Sequence, residues 1–303
     1  MKMGLRTTVR FWLFLLLAVF VLLGVTAGCR GSTPAPASGP EMLIAVLNVG
    51  QADSIFVRSA TGRTMLIDAA KEESDVQQVV LPFLKSHGVS SLDYLVLTHP
   101  DQDHVGGMPA VLNNGPPAAT FLDSVQPGIT NQSYLRTLQL VKAKGVRAVK
   151  ARRGKAAVDL GAGTEVQLLE PEEPLITGGG SNNNNSIVLR VTYGSVSALL
   201  TGDLETEGEH RLLAHHDDLR SQILKVGHHG SQGATSTQFL EAVKPEVALI
   251  SAGHGNPYGH PQPQLLQRLQ RQHVKSYRTD LDGTIQLLID GTGFKVITDK
   301  QGG

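Results

Sequence analysis

The sequence is poor in cysteine, in aromatic residues and in net charge, and each shortage excludes a class of protein. Cys29 is the only cysteine among 303 residues, which excludes an intramolecular disulfide framework and a cysteine-rich zinc site. Lys and Arg together number 27, as do Asp and Glu, so the chain is neither a strongly basic nucleic-acid coat protein nor an acidic tail protein. Aromatic residues make up 5% and glycine occurs 33 times, which favours an α/β enzyme with many tight loops over a coiled coil.

Long apolar runs are scarce as well, and the clearest one lies at the amino terminus. Residues 11–25 are apolar without interruption and follow a basic segment, a pattern typical of a signal peptide over residues 1–28. The run is shorter than the roughly 20 residues that a transmembrane helix needs. Ala27, Gly28 and Cys29 resemble a bacterial lipobox, whose cysteine is lipidated after cleavage, although Thr26 departs from the usual leucine. We therefore expect a lipid-anchored or secreted protein outside the cytoplasm, with an uncleaved membrane anchor as the alternative.

The rest of the chain divides into a short tether and one long folded region. Residues 29–41 are rich in proline, serine, alanine and glycine without periodicity, which predicts a flexible linker after the lipidated cysteine. From residue 42 onward, short apolar runs typical of strands alternate with segments of helical spacing. The sequence therefore predicts one α/β domain over residues 42–300, with two sheets sandwiched between helices.

The strongest chemical signal directly follows the predicted buried strand 92–99. His99, Asp101, Asp103 and His104 place four ligand-capable side chains within six residues. The spacing predicts that His99 and Asp101 hold one metal ion and that Asp103 and His104 hold a second. Mixed imidazole and carboxylate ligands suit Zn or Mn. Gly106 and Gly107 follow, and we expect them to allow a tight turn beneath the site.

Two further ligand candidates follow buried strands later in the chain. Asp203 ends the apolar run 195–203, and its two carboxylate oxygens suit it to bridge two cations, as two-metal hydrolysis requires. His260 lies between a glycine and a proline in a loop after another predicted strand, which predicts a last metal ligand. Their alternatives are a helix-capping aspartate and a loop histidine with an ordinary hydrogen bond.

Seven further segments accompany the His99–His104 motif: LNVGQADSIFV, LIDAA, NNNNSIVLRV, ALLTGDLE, LKVGHHGS, NPYGHP and YRTDLDGTIQL. Together these segments resemble the metallo-β-lactamase superfamily. Asp101 stands where most members have a second histidine, and this variant resembles the metallo-β-lactamase domain of the ComEC competence proteins. The resemblance implies an αββα four-layer sandwich with a dinuclear metal site at one edge of its two sheets.

The paired histidines of LKVGHHGS need separate treatment. Adjacent residues that leave a strand point in opposite directions, so only one of His228 and His229 is expected to face the metals. The usual superfamily histidine is missing between Asp103 and Asp203, where residues 182–186 stand instead. We expect His228 to fill that gap as a ligand and His229 to pack or to act as the general acid. The reverse assignment stays open.

Three polar residues are predicted to support the site. Asp68 is expected to accept a hydrogen bond from a ligand histidine and so fix its tautomer. Asn185 is expected in the same supporting shell, near the missing histidine. Ser231 is expected to donate to a phosphate or carbonyl oxygen of the substrate.

A basic segment over residues 142–155 suggests where a polyanion binds. It carries seven basic residues and no acid, and Lys150, Arg152 and Arg153 are its candidate substrate contacts. A solvated face is the alternative interpretation. The segment contains no aromatic residue, so it does not indicate a base-stacking platform.

The sequence therefore predicts an exported hydrolase with two divalent ions, Zn or Mn. Asp103, Asp203 and His229 are the expected catalytic residues, acting with a metal-bridged hydroxide on a phosphodiester. The ComEC resemblance favours nucleic acid, including DNA, as the substrate. The alternatives are a cell-wall phosphoesterase, a lactonase or lactamase-type hydrolase, and a non-catalytic surface-binding lipoprotein. No protein partner is inferred.

Overall fold

The computed structural model describes residues 39–154 and 158–300. The predicted signal peptide, Cys29 and most of the predicted linker lie outside these residues. Within the described part of the chain, no helix combines the length and the apolar character needed to cross a membrane.

The first sheet has eight strands and mixes antiparallel and parallel pairing. Its order is β14-β13-β1-β2-β3-β4-β5-β6, antiparallel from β14 to β3 and parallel from β3 to β6. The strands are β1 (Met42–Val46), β2 (Ile55–Arg58), β3 (Thr64–Ile67), β4 (Leu92–Leu97), β5 (Ala118–Asp123), β6 (Arg147–Lys150), β13 (Ile285–Ile289) and β14 (Phe294–Thr298).

The second sheet has six strands in the order β12-β11-β10-β9-β8-β7. It is parallel from β12 to β9 and antiparallel from β9 to β7. The strands are β7 (Thr164–Glu170), β8 (Val188–Tyr193), β9 (Val196–Leu200), β10 (Ile223–Lys225), β11 (Val247–Ile250) and β12 (Lys275–Arg278).

Helices cover the outer face of each sheet. On the chain they are α1 (Glu73–Asp75), α2 (Leu81–Ser86), α3 (Gln102–Val105), α4 (Met108–Asn114), α5 (Gln132–Ala143), α6 (Ser181–Asn184), α7 (Thr206–Ala214), α8 (Thr237–Val243), α9 (Pro263–Arg271) and α10 (Thr279–Asp282). A π-helical turn, Val76–Val80, connects α1 to α2.

Three apolar clusters separate the four layers. One lies between the two sheets, and the other two lie between a sheet and its covering helices. Strand β1 is apolar throughout because both of its faces are buried. Ile44 and Val46 face the other sheet, whereas Leu43 and Ala45 face helices. A strand buried on both faces lacks the alternation of a half-exposed strand. The predicted αββα sandwich is confirmed.

The topology brings several strand ends to one edge. The carboxyl ends of parallel strands meet at the same edge of a sheet, where α/β proteins place their sites. Asp68 follows β3, His99 follows β4 and Asp203 follows β9. His228 and His229 follow β10 in a short 3-10 turn, His228–Gly230. Residues distant in sequence are thereby collected at one place.

Gly106 and Gly107 have a different role from the tight turn predicted for them. Both have ordinary negative φ angles, −57° and −90°. A Cβ atom would lie 1.7 Å from the Lys71 carbonyl oxygen at Gly106 and 2.1 Å from the Ala69 carbonyl oxygen at Gly107. The two glycines therefore allow the helix that carries His104 to press against the loop after β3.

Candidate metal centre

Three buried imidazoles form the base of the site. The exposed fractions of His99, His104 and His229 are 0%, 0% and 1%. The Nδ1 atom of each has a partner: Thr98 Oγ1 at 3.1 Å for His99, Asp68 Oδ2 at 2.7 Å for His104 and the Ser251 carbonyl oxygen at 3.0 Å for His229. The Nε2 atoms are buried and make no hydrogen bond of good geometry with any described residue. Three ring nitrogens are thus left available on rings that are held in place.

Two carboxylates face these free ring nitrogens. An oxygen of Asp203 lies 3.3 Å from His104 Nε2 and 3.4 Å from His229 Nε2. Asp103 lies 3.3 Å from His229 Nε2 and 4.0 Å from His104 Nε2. In these four residues, one ligand atom of each lies within 4.8 Å of the others, which is the spacing of a metal-binding group. We call Asp103, His104, Asp203 and His229 the four-residue cluster.

The electrostatics of the four-residue cluster reflect this crowding of acids and imidazoles. Burial lowers the pKa of His229, but Asp203, Asp103 and Asp53 outweigh it and raise that pKa to about 10. Burial likewise opposes the rise at His104, whose pKa is well above its ordinary value because of Asp203 and Asp68. Burial raises the pKa of Asp103, yet its histidine neighbours lower it to about 2. The carboxylates therefore stabilise positive charge on the neighbouring imidazole rings.

His99 and Asp101 lie beside the four-residue cluster. Asp101 Oδ2 is 3.8 Å from His99 Nε2, and the His99 and His104 ring centroids are 4.1 Å apart. The Asp101 side chain is 41% exposed, and Asn182 donates a 2.8 Å hydrogen bond to its Oδ1. This pair therefore forms the open side of the site.

The run of asparagines at 182–185 supplies four separate contacts. Asn182 holds Asp101, and the Asn183 amide lies 3.5 Å from His228 Nδ1. Asn184 Oδ1 accepts from the backbone of Glu205 and Gly208 at the start of α7. Asn185, expected near the metals, instead exchanges hydrogen bonds with the backbone of Ile176 and so closes its own loop.

His228 and His229 have the opposite placement from the one expected. His229 belongs to the four-residue cluster, whereas the His228 side chain is 28% exposed and its Nε2 lies 4.0 Å from Asp203 Oδ2. His228 Nδ1 is 2.6 Å from Glu205 Oε1. The strand ends at Lys225, and both histidines have left-handed φ angles of 43° and 51°. The alternation rule of an extended strand therefore does not apply to them.

His260 lies at the rim, outside the four-residue cluster. Its ring centroid is 5.5 Å from that of His228 and 6.5 Å from that of His229. Gln51 Nε2 approaches its Nδ1 at 3.4 Å. Burial and the neighbouring histidines lower the pKa of His260 to about 4, so the ring is neutral near pH 7.

Asp68 contacts a histidine as the sequence predicts, and its own backbone is strained. The carboxylate accepts from His104 Nδ1, from the Thr98 backbone at 2.8 Å and from the Thr98 hydroxyl at 2.6 Å. Its φ of 58° lies in the left-handed region, which non-glycine residues rarely adopt. Such strain persists where surrounding contacts over-determine it, and it clusters at functional sites.

A buried lysine lies behind His229, and sequence reasoning did not single it out. Lys225 Nζ is 2.8 Å from Asp53 Oδ2, and Asp53 Oδ1 is 3.4 Å from His229 Nδ1. The Lys225 and Asp53 side chains are 0% and 1% exposed. The signal available in the sequence was a single lysine inside the apolar run of β10, where a charge is costly unless it is paired.

The three candidate substrate contacts of the basic segment form ion pairs within the protein itself. Lys150 and Arg152 both contact Glu173, at 2.8 Å and 2.7 Å, and Arg153 contacts Asp217 at 2.6 Å. Arg152 is 4% exposed and donates to backbone carbonyls, including that of Ser124. This differs from the expectation that Arg152 contacts substrate, because a buried guanidinium with these partners does not reach a ligand.

Ser231 Oγ accepts from the Gly233 backbone at 3.2 Å beside the paired histidines.

The residues present fit a divalent metal ion. Buried imidazole nitrogens without hydrogen bonds are costly, as is the unpartnered Oδ1 of the buried Asp203 carboxylate. Coordination to a cation satisfies both kinds of atom. Imidazole with carboxylate is a donor set that Zn and Mn accept.

Comparison with known families defines the class of protein. The family model of the Metallo-beta-lactamase superfamily matches residues 47–254, which is more than half of the chain. The chain therefore belongs to the metallo-β-lactamase superfamily.

Its relatives include ComEC-like proteins. The chain is 34% identical over 268 residues to ComE operon protein 3 of Bacillus subtilis (strain 168), covering 83% of this chain and 33% of that protein. It is 34% identical over 289 residues to Competence protein ComA of Neisseria gonorrhoeae, covering 94% of this chain and 36% of that protein. The chain thus spans about a third of the length of these relatives.

The fold has a solved counterpart at low sequence identity. A CmlA beta-hydroxylase E377D mutant superposes with a TM-score of 0.50 and 15% identity, covering 84% of this chain and 54% of that chain. This similarity concerns the fold alone.

Proposed function

We propose that the protein is a metal-dependent phosphodiesterase that acts on nucleic acid. The observation that carries this proposal is the set of three buried histidines whose Nδ1 atoms are held and whose Nε2 atoms make no hydrogen bond with the described residues. The Nε2 atoms of His104 and His229 face the Asp203 and Asp103 carboxylates, and that of His99 faces Asp101. A folded protein retains such an arrangement at a cost in stability, which a bound cation offsets.

Two ions are proposed, with Asp203 shared between them. Asp103, His104, Asp203 and His229 would hold one ion. His99 and Asp101, with the second oxygen of Asp203, would hold the other. When bound, such ions lower the pKa of a water molecule and stabilise the negative charge that develops on a phosphoryl oxygen.

His228 is the proposed general acid, in place of His229. Its Nδ1–H donates to Glu205, which fixes the ring and leaves Nε2 on the side of Asp203. Burial lowers the pKa of His228, but Glu205 and Asp203 outweigh it and raise that pKa, which favours the protonated ring. A protonated imidazole in this position can give its Nε2 proton to a leaving oxygen.

An open site supports a polymeric substrate. Asp101 is partly exposed, and a groove of about 380 Å³ next to it is lined by residues 100–103, by residues 128–131 and by Asn182. The name of one relative, Competence protein ComA, supports nucleic acid as the first substrate to test. That relative is about three times as long as this chain, so the substrate remains part of the proposal.

A panel of substrates tests the proposed function. We expect the metal-loaded protein to hydrolyse bis(p-nitrophenyl) phosphate and single-stranded DNA, and to leave the lactam nitrocefin intact. The matched control is Asp203→Asn, which keeps the shape of the side chain but removes its charge, and its rate should fall at least 100-fold. Hydrolysis of nitrocefin or of a lactone without phosphodiesterase activity would contradict the proposal.

Export and lipid anchoring are proposed separately, from residues 1–29 of the sequence. If Cys29 is lipidated, the wild type grown with labelled fatty acid incorporates the label and fractionates with membranes. Cys29→Ser should lose the label, and Cys29→Ala provides the matched second variant. Equal labelling of wild type and both variants would contradict this proposal without affecting the phosphodiesterase proposal.

A further inference from the structure

We propose that Tyr258 is a stacking platform for a nucleobase of the substrate at the rim of the metal centre. This inference rests on the proposed function, because it takes a nucleic-acid strand as the ligand. Tyr258 is 60% exposed, which is the largest exposure among the exposed large apolar side chains of the described residues. A tyrosine ring combines an apolar face with a polar hydroxyl, which makes it a common contact residue at interfaces.

The loop that carries Tyr258 has its backbone held by Asn256. Asn256 Oδ1 accepts from the backbone N–H groups of Tyr258, at 3.2 Å, and of His260, at 3.0 Å. Asn256 Nδ2 donates to the Gly253 carbonyl at 2.9 Å. Because the backbone is already ordered, stacking on this ring incurs little further loss of backbone entropy.

The position of the ring connects it to the chemistry. Tyr258 stacks on His260 with ring centroids 5.7 Å apart and an interplanar angle of 28°. The His260 ring is in turn 5.5 Å from that of His228, whose Nε2 lies 4.0 Å from Asp203. One imidazole therefore separates the exposed ring from the proposed proton donor. A strand with a phosphate at the metal centre would bring a neighbouring base to the rim where Tyr258 stands.

Stacking would also supply affinity that the three candidate contacts of the basic segment do not. Lys150, Arg152 and Arg153 are engaged with Glu173 and Asp217, so they are poorly placed to hold a polyanion. Base stacking on an aromatic side chain tolerates any sequence, because every base presents a flat face. We therefore expect weak sequence preference and a clear preference for strands that carry bases.

Two strands with the same phosphates and different rings test the inference. One is a fluorescein-labelled thymidine oligonucleotide, and the other is an abasic strand of equal length. Binding is measured by fluorescence anisotropy with metal-loaded protein, and hydrolysis is measured separately. Tyr258→Ala should weaken binding of the thymidine strand about 5- to 150-fold and leave binding of the abasic strand unchanged. Tyr258→Phe should retain wild-type binding, since it keeps the ring.

Controls separate this inference from folding and from the proposed function. Leu135→Ala removes another exposed apolar side chain, on α5, and should not change binding. All variants should keep the wild-type metal content and melting temperature. Four outcomes would overturn the inference. They are equal losses of binding on both strands, no loss of binding on either strand, no binding by the wild type, and a Tyr258 effect confined to a sugar-bearing teichoic acid. Strand cleavage with no Tyr258 effect would leave the proposed function intact. A Tyr258 effect on binding without cleavage would support the stacking inference and contradict the proposed phosphodiesterase function.

Discussion

The buried ammonium group of Lys225 on β10 lies 2.8 Å from the carboxylate of Asp53, which belongs to the loop between β1 and β2 of the other sheet. This ion pair therefore ties the two sheets together directly beneath the metal centre. Asp53 also lies 3.4 Å from His229 Nδ1, so the pair is part of the wall behind a candidate ligand.

Removing one member of this pair is expected to destabilise the fold strongly. Lys225→Met leaves the Asp53 charge buried without its cation, which should lower the free energy of unfolding by about 3–5 kcal/mol. Urea denaturation measures the loss, and Lys295→Met on the exposed face of β14 is the matched control. Lys225→Met combined with Asp53→Leu should recover part of the stability, and a double variant less stable than Lys225→Met alone would contradict the account.

The paired histidines are expected to differ in their effect on metal content. His229→Ala should reduce the bound metal, because it removes a buried Nε2 from the four-residue cluster. His228→Ala should keep nearly all of it. Inductively coupled plasma mass spectrometry gives the metal per chain, with His210→Ala on the exposed face of α7 as the control. Metal loss in His228→Ala with full retention in His229→Ala would reverse the assignment.

The same pair allows a test of the proton donor through the leaving group. His228→Ala should slow cleavage of a phosphodiester with an alkoxide leaving group by about 10²–10⁴-fold. The loss should be much smaller for p-nitrophenolate, which departs without protonation. Glu205→Gln should show the same pattern more weakly, because Glu205 only holds the ring. Equal rate losses on both substrates would argue for a structural role.

Metal uptake is expected to release protons. In the metal-free chain His229 has a pKa of about 10, so it is protonated at pH 8, whereas a metal ion requires the neutral ring. Apparent metal affinity should therefore rise as the pH rises toward 10 and fall in acid. Calorimetric titrations at pH 8 in two buffers of different ionisation enthalpy measure the protons released. Identical heats in both buffers would show that no proton leaves.

The fold and the first ligand motif could be predicted because their signals are local. The motif His99–His104 follows a buried strand, and the position of Asp68 at the end of β3 predicts its contact with a histidine. Periodicity likewise predicted two sheets between helices. The short helices α3, α6 and α10 carry no apolar repeat that periodicity could detect.

The remaining site features depend on backbone angles and on partners distant in sequence. The roles of His228 and His229 follow from two consecutive left-handed residues, which no spacing rule indicates. Arg152 and Arg153 are occupied by Glu173 and Asp217, 21 and 64 residues away in the sequence. Among the four asparagines, Asn182 rather than Asn185 reaches the ligand motif, because α6 turns the side chains in different directions.

A reconstitution experiment tests the central claim most directly. Protein stripped by a chelator is dialysed against increasing Zn or Mn, and each sample is assayed for metal per chain and for hydrolysis of bis(p-nitrophenyl) phosphate. We predict that the stripped protein is inactive, that activity rises with occupancy, and that occupancy reaches two ions per chain. Full activity in protein that binds no metal would contradict the assignment of these buried histidines and aspartates as a catalytic metal centre.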